Sequence, residues 1–433
     1  MYDVIVIGGG TGGYVASSLL ASNDISVALV EKDIIGGTCI RTGCAPTIFE
    51  NTLFSNIYRY REWGNYVGVD IGISIGDYKH KMKEIIDFLS NVGENVLKSR
   101  GVDVYYGEGK LISADTVEVG GKLLRANKII ISTGSEPIKQ FPKRNVLDEN
   151  TWINANFSGE RVGIVGGGPA GVEFAQIISR QNSDVYLITH GELLSKYPLT
   201  VREKVKSILD WDGVRIFENR DVLKMEENVI VTTQETINVD KIILATGRVP
   251  VFPKGVENLV SLDVRGIIID DNMRTSKGNI YAIGDVAKKP TPLLAHVAFE
   301  EAIIASLNIL GKPTKIDYSS IPQVIYLDPK IGIVGNESEA EKFVEYPFSA
   351  SSKAAITGYR EGYVKLGIKG DRVVYGEIVG DQSDELISVI SLFVKYRLPI
   401  SKLLFTIFPH FTYSEIIINA MKRIYNIDSD LPY

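Results

Sequence analysis

Short apolar runs that stop at glycine clusters set the rhythm of the chain. Val4-Ile5-Val6-Ile7 is continuously apolar, the pattern of a strand covered on both faces of a parallel sheet, and Gly8-Gly9-Gly10-Thr11-Gly12-Gly13 follows at once. A helical stretch through Ser18-Leu19-Leu20-Ala21 leads to a second apolar strand, Ser26-Val27-Ala28-Leu29-Val30, ending at Glu31. The same plan returns near residue 160, with strand Arg161-Val162-Gly163-Ile164-Val165, loop Gly166-Gly167-Gly168-Pro169-Ala170-Gly171, a helix entered through Val172-Glu173-Phe174, and strand Asp184-Val185-Tyr186-Leu187-Ile188 ending at Thr189. A further repeat closes each unit: Lys128-Ile129-Ile130-Ile131-Ser132-Thr133-Gly134 resembles Lys241-Ile242-Ile243-Leu244-Ala245-Thr246-Gly247. Beyond about residue 315 the texture changes. Gln323–Tyr326, Ile331–Val334, Tyr363–Ile368 and Arg372–Tyr375 read as antiparallel strands, and Glu385–Tyr396 and Ser414–Tyr425 as helices.

A G-x-G-x-x-G loop between a strand and a helix lets backbone approach a pyrophosphate and aims a helix N-terminus at it. Gly8, Gly10 and Gly13 fit that spacing, and so do Gly166, Gly168 and Gly171. The pattern predicts an α/β chain with two Rossmann-like dinucleotide-binding domains, separated near residues 141–150, and a C-terminal α+β domain without a glycine loop. The residue ending the second strand of each unit faces the ribose. Glu31 offers a carboxylate to a ribose diol, whereas Thr189 at the equivalent place is not acidic. That leaves both NAD(H) and NADP(H) open, with His190 and Lys196 as candidate contacts to a 2′-phosphate.

The 433-residue length predicts several domains. Charge narrows the partners: 47 basic and 53 acidic residues give a net charge of −6. No broad basic face for nucleic acid or an anionic membrane is expected. No apolar run of membrane-spanning length and no secretory leader is read, so the expected compartment is the cytoplasm.

Only two cysteines exist, in Gly36-Gly37-Thr38-Cys39-Ile40-Arg41-Thr42-Gly43-Cys44-Ala45-Pro46. A redox pair, a structural disulfide, two unrelated thiols and a metal site are the possible readings. A metal would want further Cys or His nearby, and none is close in sequence. Five helical residues rise about 7.5 Å and a disulfide needs Cα atoms within about 7 Å, so a redox pair requires a break in the helix, for which Gly43 offers freedom. A helix N-terminus there would favour a thiolate.

Gly-Gly-Thr-Cys, four residues, then Cys-x-Pro behind an N-terminal glycine loop resembles the class I pyridine nucleotide-disulfide oxidoreductases, and within them the dihydrolipoamide dehydrogenases most. The likeness runs through the whole chain. Gly284-Asp285 resembles the second FAD motif, Leu294-Ala295-His296 the flavin-contacting helix start, and His410-Phe411-Thr412-Tyr413-Ser414-Glu415 the His-x-Thr-x-Ser-Glu signature. The resemblance implies electron transfer between a nicotinamide, FAD and a Cys39–Cys44 disulfide. Cys39 would attack the substrate, Cys44 would contact the flavin, His410 would act as acid/base and Glu415 would orient it. FAD contacts are implied at Gly8, Gly10, Gly13, Glu31, Lys32, Gly37, Thr38, Gly109, Thr133, Gly134, Gly284, Asp285, Leu294, Ala295 and His296. Nicotinamide-nucleotide contacts are implied at Gly166, Gly168, Gly171, Glu173, Thr189 and Gly247. The implied domains are FAD-binding (1–143 and 251–313), NAD(P)-binding (144–250) and a dimerisation domain (314–433). The implied partners are a small disulfide or dithiol, including a lipoyl domain, and a second copy of the chain. No metal is expected. Thr412-x-x-Glu415 also reads as a helix capping box.

The chain departs from the family at two places. Ile48 replaces a lysine that pairs with the glutamate represented here by Glu173. A buried carboxylate stripped of its cation is costly, so Glu173 is expected to be protonated, solvated or paired with another cation. Pro169 replaces the tyrosine that glutathione reductases carry. His80, in a polar helical stretch, is expected to be solvated.

Overall fold

Strand Tyr2–Ile7 has two apolar faces and lies inside a parallel sheet. Val27–Glu31 pairs with it on one side, Val4 opposite Val27, and Lys122–Ile131 on the other, Ile5 opposite Ile129. Asp103–Tyr106 flanks the former and Ile280–Ala282 the latter, both parallel. Val4, Ile5, Val6 and Ile7 are buried, which stabilises the sheet by about 1.5–3 kcal/mol per side chain. An antiparallel extension, Thr116–Val119 and Lys110–Ser113, grows from the first half of Lys122–Ile131. The computed structural model describes residues 1–68, 78–138, 146–226 and 228–428. Pro142-Lys143-Arg144, at the expected domain boundary, lies outside them.

The chain divides into two compact units: Met1–Glu50, Asp70–Asn156 and Ile242–Ile316; and Asn51–Val69, Phe157–Lys241 and Asp317–Tyr433. The parallel sheet above belongs to the first. In the second, Arg161–Val165, Asp184–Ile188 and Arg215–Phe217 are parallel neighbours, and helix Pro169–Ser179 begins directly after Gly168. A three-stranded antiparallel meander, Val222–Glu226, Val229–Thr232 and Thr236–Asn238, follows.

The C-terminal part of that unit is a five-stranded antiparallel sheet in the order Gln323–Ile325, Lys330–Gly335, Arg372–Gly380, Tyr363–Lys369, Lys342–Pro347. Helices Ser383–Tyr396 and Ser414–Arg423 share its core through Ile387, Ile390, Ile417 and Met421. The sequence pattern predicts four of these strands and misses Lys342–Pro347. That strand lies at the sheet edge and fully buries only Tyr346, so its apolar signal is weak. Helix Cys44–Val67 is also unread in the sequence, and of Tyr78–Ser99 only the polar helical stretch around His80 is read. Among the described residues no helix is long and apolar enough to cross a membrane.

Candidate active site

The first glycine loop is forced by close backbone approach. Gly8 has φ +100°, and a Cβ on it would lie 2.3 Å from the Ser132 carbonyl oxygen. A Cβ on Gly13 would lie 1.8 Å from the Gly8 carbonyl oxygen, whereas one on Gly10 would meet nothing within 4 Å. Gly13 therefore permits helix Thr11–Ala21 to pack on the loop, while Gly10 leaves an open face. That face borders a cavity of about 610 Å³ within the first unit. Glu31, at the strand end, accepts hydrogen bonds from the backbone N–H of Gly9 (2.6 Å) and of Asp33 (2.7 Å). The open loop, the carboxylate at its ribose end and the cavity volume fit a flavin dinucleotide.

Of the residues that the resemblance assigns to FAD, Gly8, Gly10, Glu31, Lys32, Gly37, Thr38, Gly109, Thr133, Gly134, Gly284, Asp285 and Ala295 line this cavity. Gly13 supports the loop from behind. Leu294 and His296 flank Ala295 at the start of helix Ala295–Ile309 but are not in the wall.

Both cysteines line the same cavity. The required helix break is present: Gly37–Arg41 is one helix, Thr42 leaves helical geometry with φ −141°, and Cys44–Val67 is the next. The expectation that Gly43 supplies an unusual backbone angle is corrected. Gly43 is not in the left-handed region; a Cβ there would lie 3.0 Å from the Thr38 carbonyl oxygen, so close packing is its constraint. The two cysteines are in the thiol form, Cys39 half-buried and Cys44 exposed. Cys39 is held below the ordinary thiol range, chiefly by its hydrogen bond with the Cys44 side chain. Burial opposes this, and the Thr11 hydroxyl and the Cys44 backbone add to it. Cys44 is the first residue of its helix, so the N–H it offers to the Cys39 sulfur is a helix-terminal donor, a place where a thiolate is stabilised.

A polar chain borders the cavity that the sequence reading did not single out. The Ser135 hydroxyl donates to Asp285 (2.6 Å), Arg248 Nε donates to the Ser135 hydroxyl (2.8 Å), and Arg248 also pairs with Glu149 (2.6 Å). Burial raises the Glu149 carboxyl against the opposing pull of Arg248. Behind it, the fully buried Glu301 accepts from the Gly284 N–H (2.6 Å) and pairs with Lys289 (3.2 Å), which fixes the turn carrying Asp285. A signal for part of this was present. Ser135 and Arg248 each directly follow one of the two repeated Thr-Gly turns, and their short strands pair antiparallel. Lys289 gave none, since a Lys-Lys dipeptide reads as surface.

The second loop repeats the geometry of the first. Gly166 has φ +129° and donates to the Ile188 carbonyl at 2.8 Å, as Gly8 does to Val30 at 2.7 Å. Gly168 again has open space, and Gly171 is buried in the following helix. Thr189 is buried beside Gly167, the place that Glu31 takes beside Gly9. Gly247 groups instead with the first unit, where its carbonyl accepts from Ile138. Glu173 accepts from the Tyr326 backbone N–H at 2.9 Å. This adds a partner that the three sequence alternatives omitted, because a backbone amide donor leaves no trace in residue identity. Ile48 is 40% exposed on its helix.

At the C-terminal end, His410 Nδ1 meets Glu415 Oε1 at 2.9 Å, and His410 is largely exposed. The capping box is half formed. The Thr412 N–H donates to Glu415 (3.2 Å), but the Thr412 hydroxyl donates to the Pro409 carbonyl (2.8 Å). His80 is exposed and lies 3.3 Å from Glu84.

Residues 2–302 match the family model described as pyridine nucleotide-disulphide oxidoreductase, and residues 321–421 that family's dimerisation domain. The chain is similar to dihydrolipoyl dehydrogenases of Haloferax volcanii (30% identity, 97% of this chain and 96% of that one) and Chlamydia pneumoniae (31%, 96% and 95%). Its fold is similar to that of the HOCl-induced flavoprotein disulfide reductase RclA of Escherichia coli (TM-score 0.86, 24% identity, 96% and 98% covered). It is also similar to that of LpdA of Mycobacterium tuberculosis (TM-score 0.88, 22% identity, 98% and 99% covered).

Proposed function

Because the chain belongs to the pyridine nucleotide-disulphide oxidoreductases, we propose that it exchanges an electron pair between a nicotinamide dinucleotide and a small disulfide or dithiol of the dihydrolipoamide type, through Cys39 and Cys44. The observation that carries this reading is the placement of both thiols in the wall of the cavity bounded by the first glycine loop and Asp285. The FAD-binding part is assigned to residues 1–143 and 251–313, the nicotinamide part to 144–250 and the interface part to 314–433. When bound there, FAD supplies the two-electron relay between nicotinamide and the cysteine pair.

In the disulfide-reducing direction, the Cys39 thiolate attacks one substrate sulfur. The substrate S–S bond breaks, a mixed disulfide forms, and the departing thiolate takes a proton from His410. The Cys44 thiolate then attacks the Cys39 sulfur, which releases the second substrate thiolate and leaves a Cys39–Cys44 disulfide. The substrate has gained two electrons and the pair has lost two. Glu415 holds the His410 ring through the 2.9 Å contact at Nδ1 and so orients it for proton transfer. The exposed Phe405 and Ile407, close in sequence to His410, support a covering second copy, so a homodimer completes each site. The cytoplasm is the compartment proposed for it; no helix among the described residues is long and apolar enough to cross a membrane.

The test is turnover of the flavin-loaded enzyme with lipoamide, glutathione disulfide and a benzoquinone. Lipoamide is expected to give the highest kcat/KM, and His410→Gln to lower that value about 100-fold or more. A quinone rate above the lipoamide rate, insensitive to His410→Gln, would reject the reading.

A further inference from the structure

The second ribose position lacks an acid in sequence, but the connection after the neighbouring strand Arg215–Phe217 carries one, Asp221. Thr189 cannot repel a 2′-phosphate, and the residue after it, His190, is a natural contact for one. The strand ends carrying these residues run beside residues 217–221. The Thr189 N–H donates to the Phe217 carbonyl (2.9 Å), Arg220 N–H to Thr189 (3.0 Å) and Asn219 N–H to Gly191 (3.2 Å). This pairing brings the Asp221 carboxylate onto His190 Nδ1. Other basic side chains of this rim are also matched by carboxylates: Arg220 with Glu235 (2.8 Å), Arg202 with Glu192 (2.6 Å) and Lys206 with Glu218 (3.0 Å).

We propose that Asp221 is the specificity-determining residue that makes the enzyme select NADH over NADPH. The proposal rests on the reading of the second glycine loop as the nicotinamide-nucleotide site. Asp221 occupies the His190 ring nitrogen, one of the two contacts (with Lys196) open to a 2′-phosphate, and places a negative charge beside it, a repulsive element directed at the phosphorylated coenzyme. A ribose diol suffers no such repulsion, and its hydroxyls are hydrogen-bond donors to a carboxylate. The acid therefore comes from the connection that follows the neighbouring strand Arg215–Phe217, not from the end of strand Asp184–Ile188 where the sequence pattern looks for it.

The test is calorimetric binding of ADP-ribose and 2′-phospho-ADP-ribose to the flavin-loaded protein, a readout independent of turnover. The wild type is expected to bind ADP-ribose at least about tenfold more tightly. Asp221→Asn is expected to shrink that ratio about tenfold, mainly by tightening the 2′-phospho ligand, and a second change, His190→Ala, to reverse the gain. Equal binding by the wild type, or an unchanged ratio in Asp221→Asn, overturns the proposal while leaving the coenzyme site in place. Failure of both ligands to bind overturns the reading of the loop as well.

Discussion

Replacing Cys39 by serine is expected to abolish disulfide turnover, by at least about three orders of magnitude in kcat/KM, while the protein keeps its flavin. A serine hydroxyl at neutral pH cannot replace a thiolate in exchange with a disulfide, and loss of a covalent nucleophile costs about as much as loss of the whole catalytic group it belongs to. The flavin is retained because Cys39 is one small side chain in a wall held by two backbone loops. The wild-type pH profile follows from the same thiol. Cys39 is held below its ordinary range, so its thiolate is already formed below the pH at which an unfolded cysteine ionises. Activity limited by that thiolate should persist down to the depressed pKa and fall only as the pH drops through it. Stopped-flow turnover of the wild type and Cys39→Ser across pH 5 to 9 checks both points. Full lipoamide turnover in Cys39→Ser would remove the thiol mechanism.

Gly13→Ala is expected to strip the protein of flavin, and Gly10→Ala to weaken flavin binding without harming the apoprotein. The new methyl at Gly13 would lie 1.8 Å from the Gly8 carbonyl oxygen, which is backbone and has no rotamer to yield. Overpacking of this kind costs about 1–3 kcal/mol, and at the upper end that is roughly a hundredfold in flavin affinity. At Gly10 the methyl meets no protein atom within 4 Å, so it intrudes only on the cavity. Flavin content after purification, together with the melting temperature of the apoprotein, separates the two. Gly13→Ala should lower both and Gly10→Ala only the first. A Gly13→Ala protein with full flavin and an unchanged melting temperature would show that the close approach is not required.

The periodic parts of this chain were legible and the cross-chain parts were not. Val4–Ile7 and Arg161–Val165 announce themselves because burial on both faces leaves an apolar run, and the glycines after them because backbone geometry or close approach requires glycine at Gly8, Gly13 and Gly166. Cys39 and Cys44 were legible as a pair, but the reason for Gly43 was not, since packing against Thr38 depends on how two short helices meet. The strand Lys342–Pro347 leaves Phe343 exposed beside Lys342 and Glu345 and so lacks a clean in-out alternation, and the helix Tyr78–Ser99 was legible only as a polar stretch around His80. The partners of Glu173, Asp285 and His190 lie 153, 150 and 31 residues away, and no local spacing predicts such contacts. For His190 the consequence bears on the proposal above: the sequence leaves the coenzyme open, and the Asp221 carboxylate at its ring stands in the connection between two other strands.

The central claim is that nicotinamide electrons reach the Cys39–Cys44 pair. Anaerobic titration of the oxidised, flavin-loaded enzyme with NADH, followed by alkylation and mass mapping of the thiols, tests it directly. The account predicts uptake of about four electrons per flavin, two on the flavin and two on the pair, with Cys39 and Cys44 becoming alkylated only after reduction. Uptake of only two electrons, with both cysteines alkylated equally before and after NADH, would contradict it.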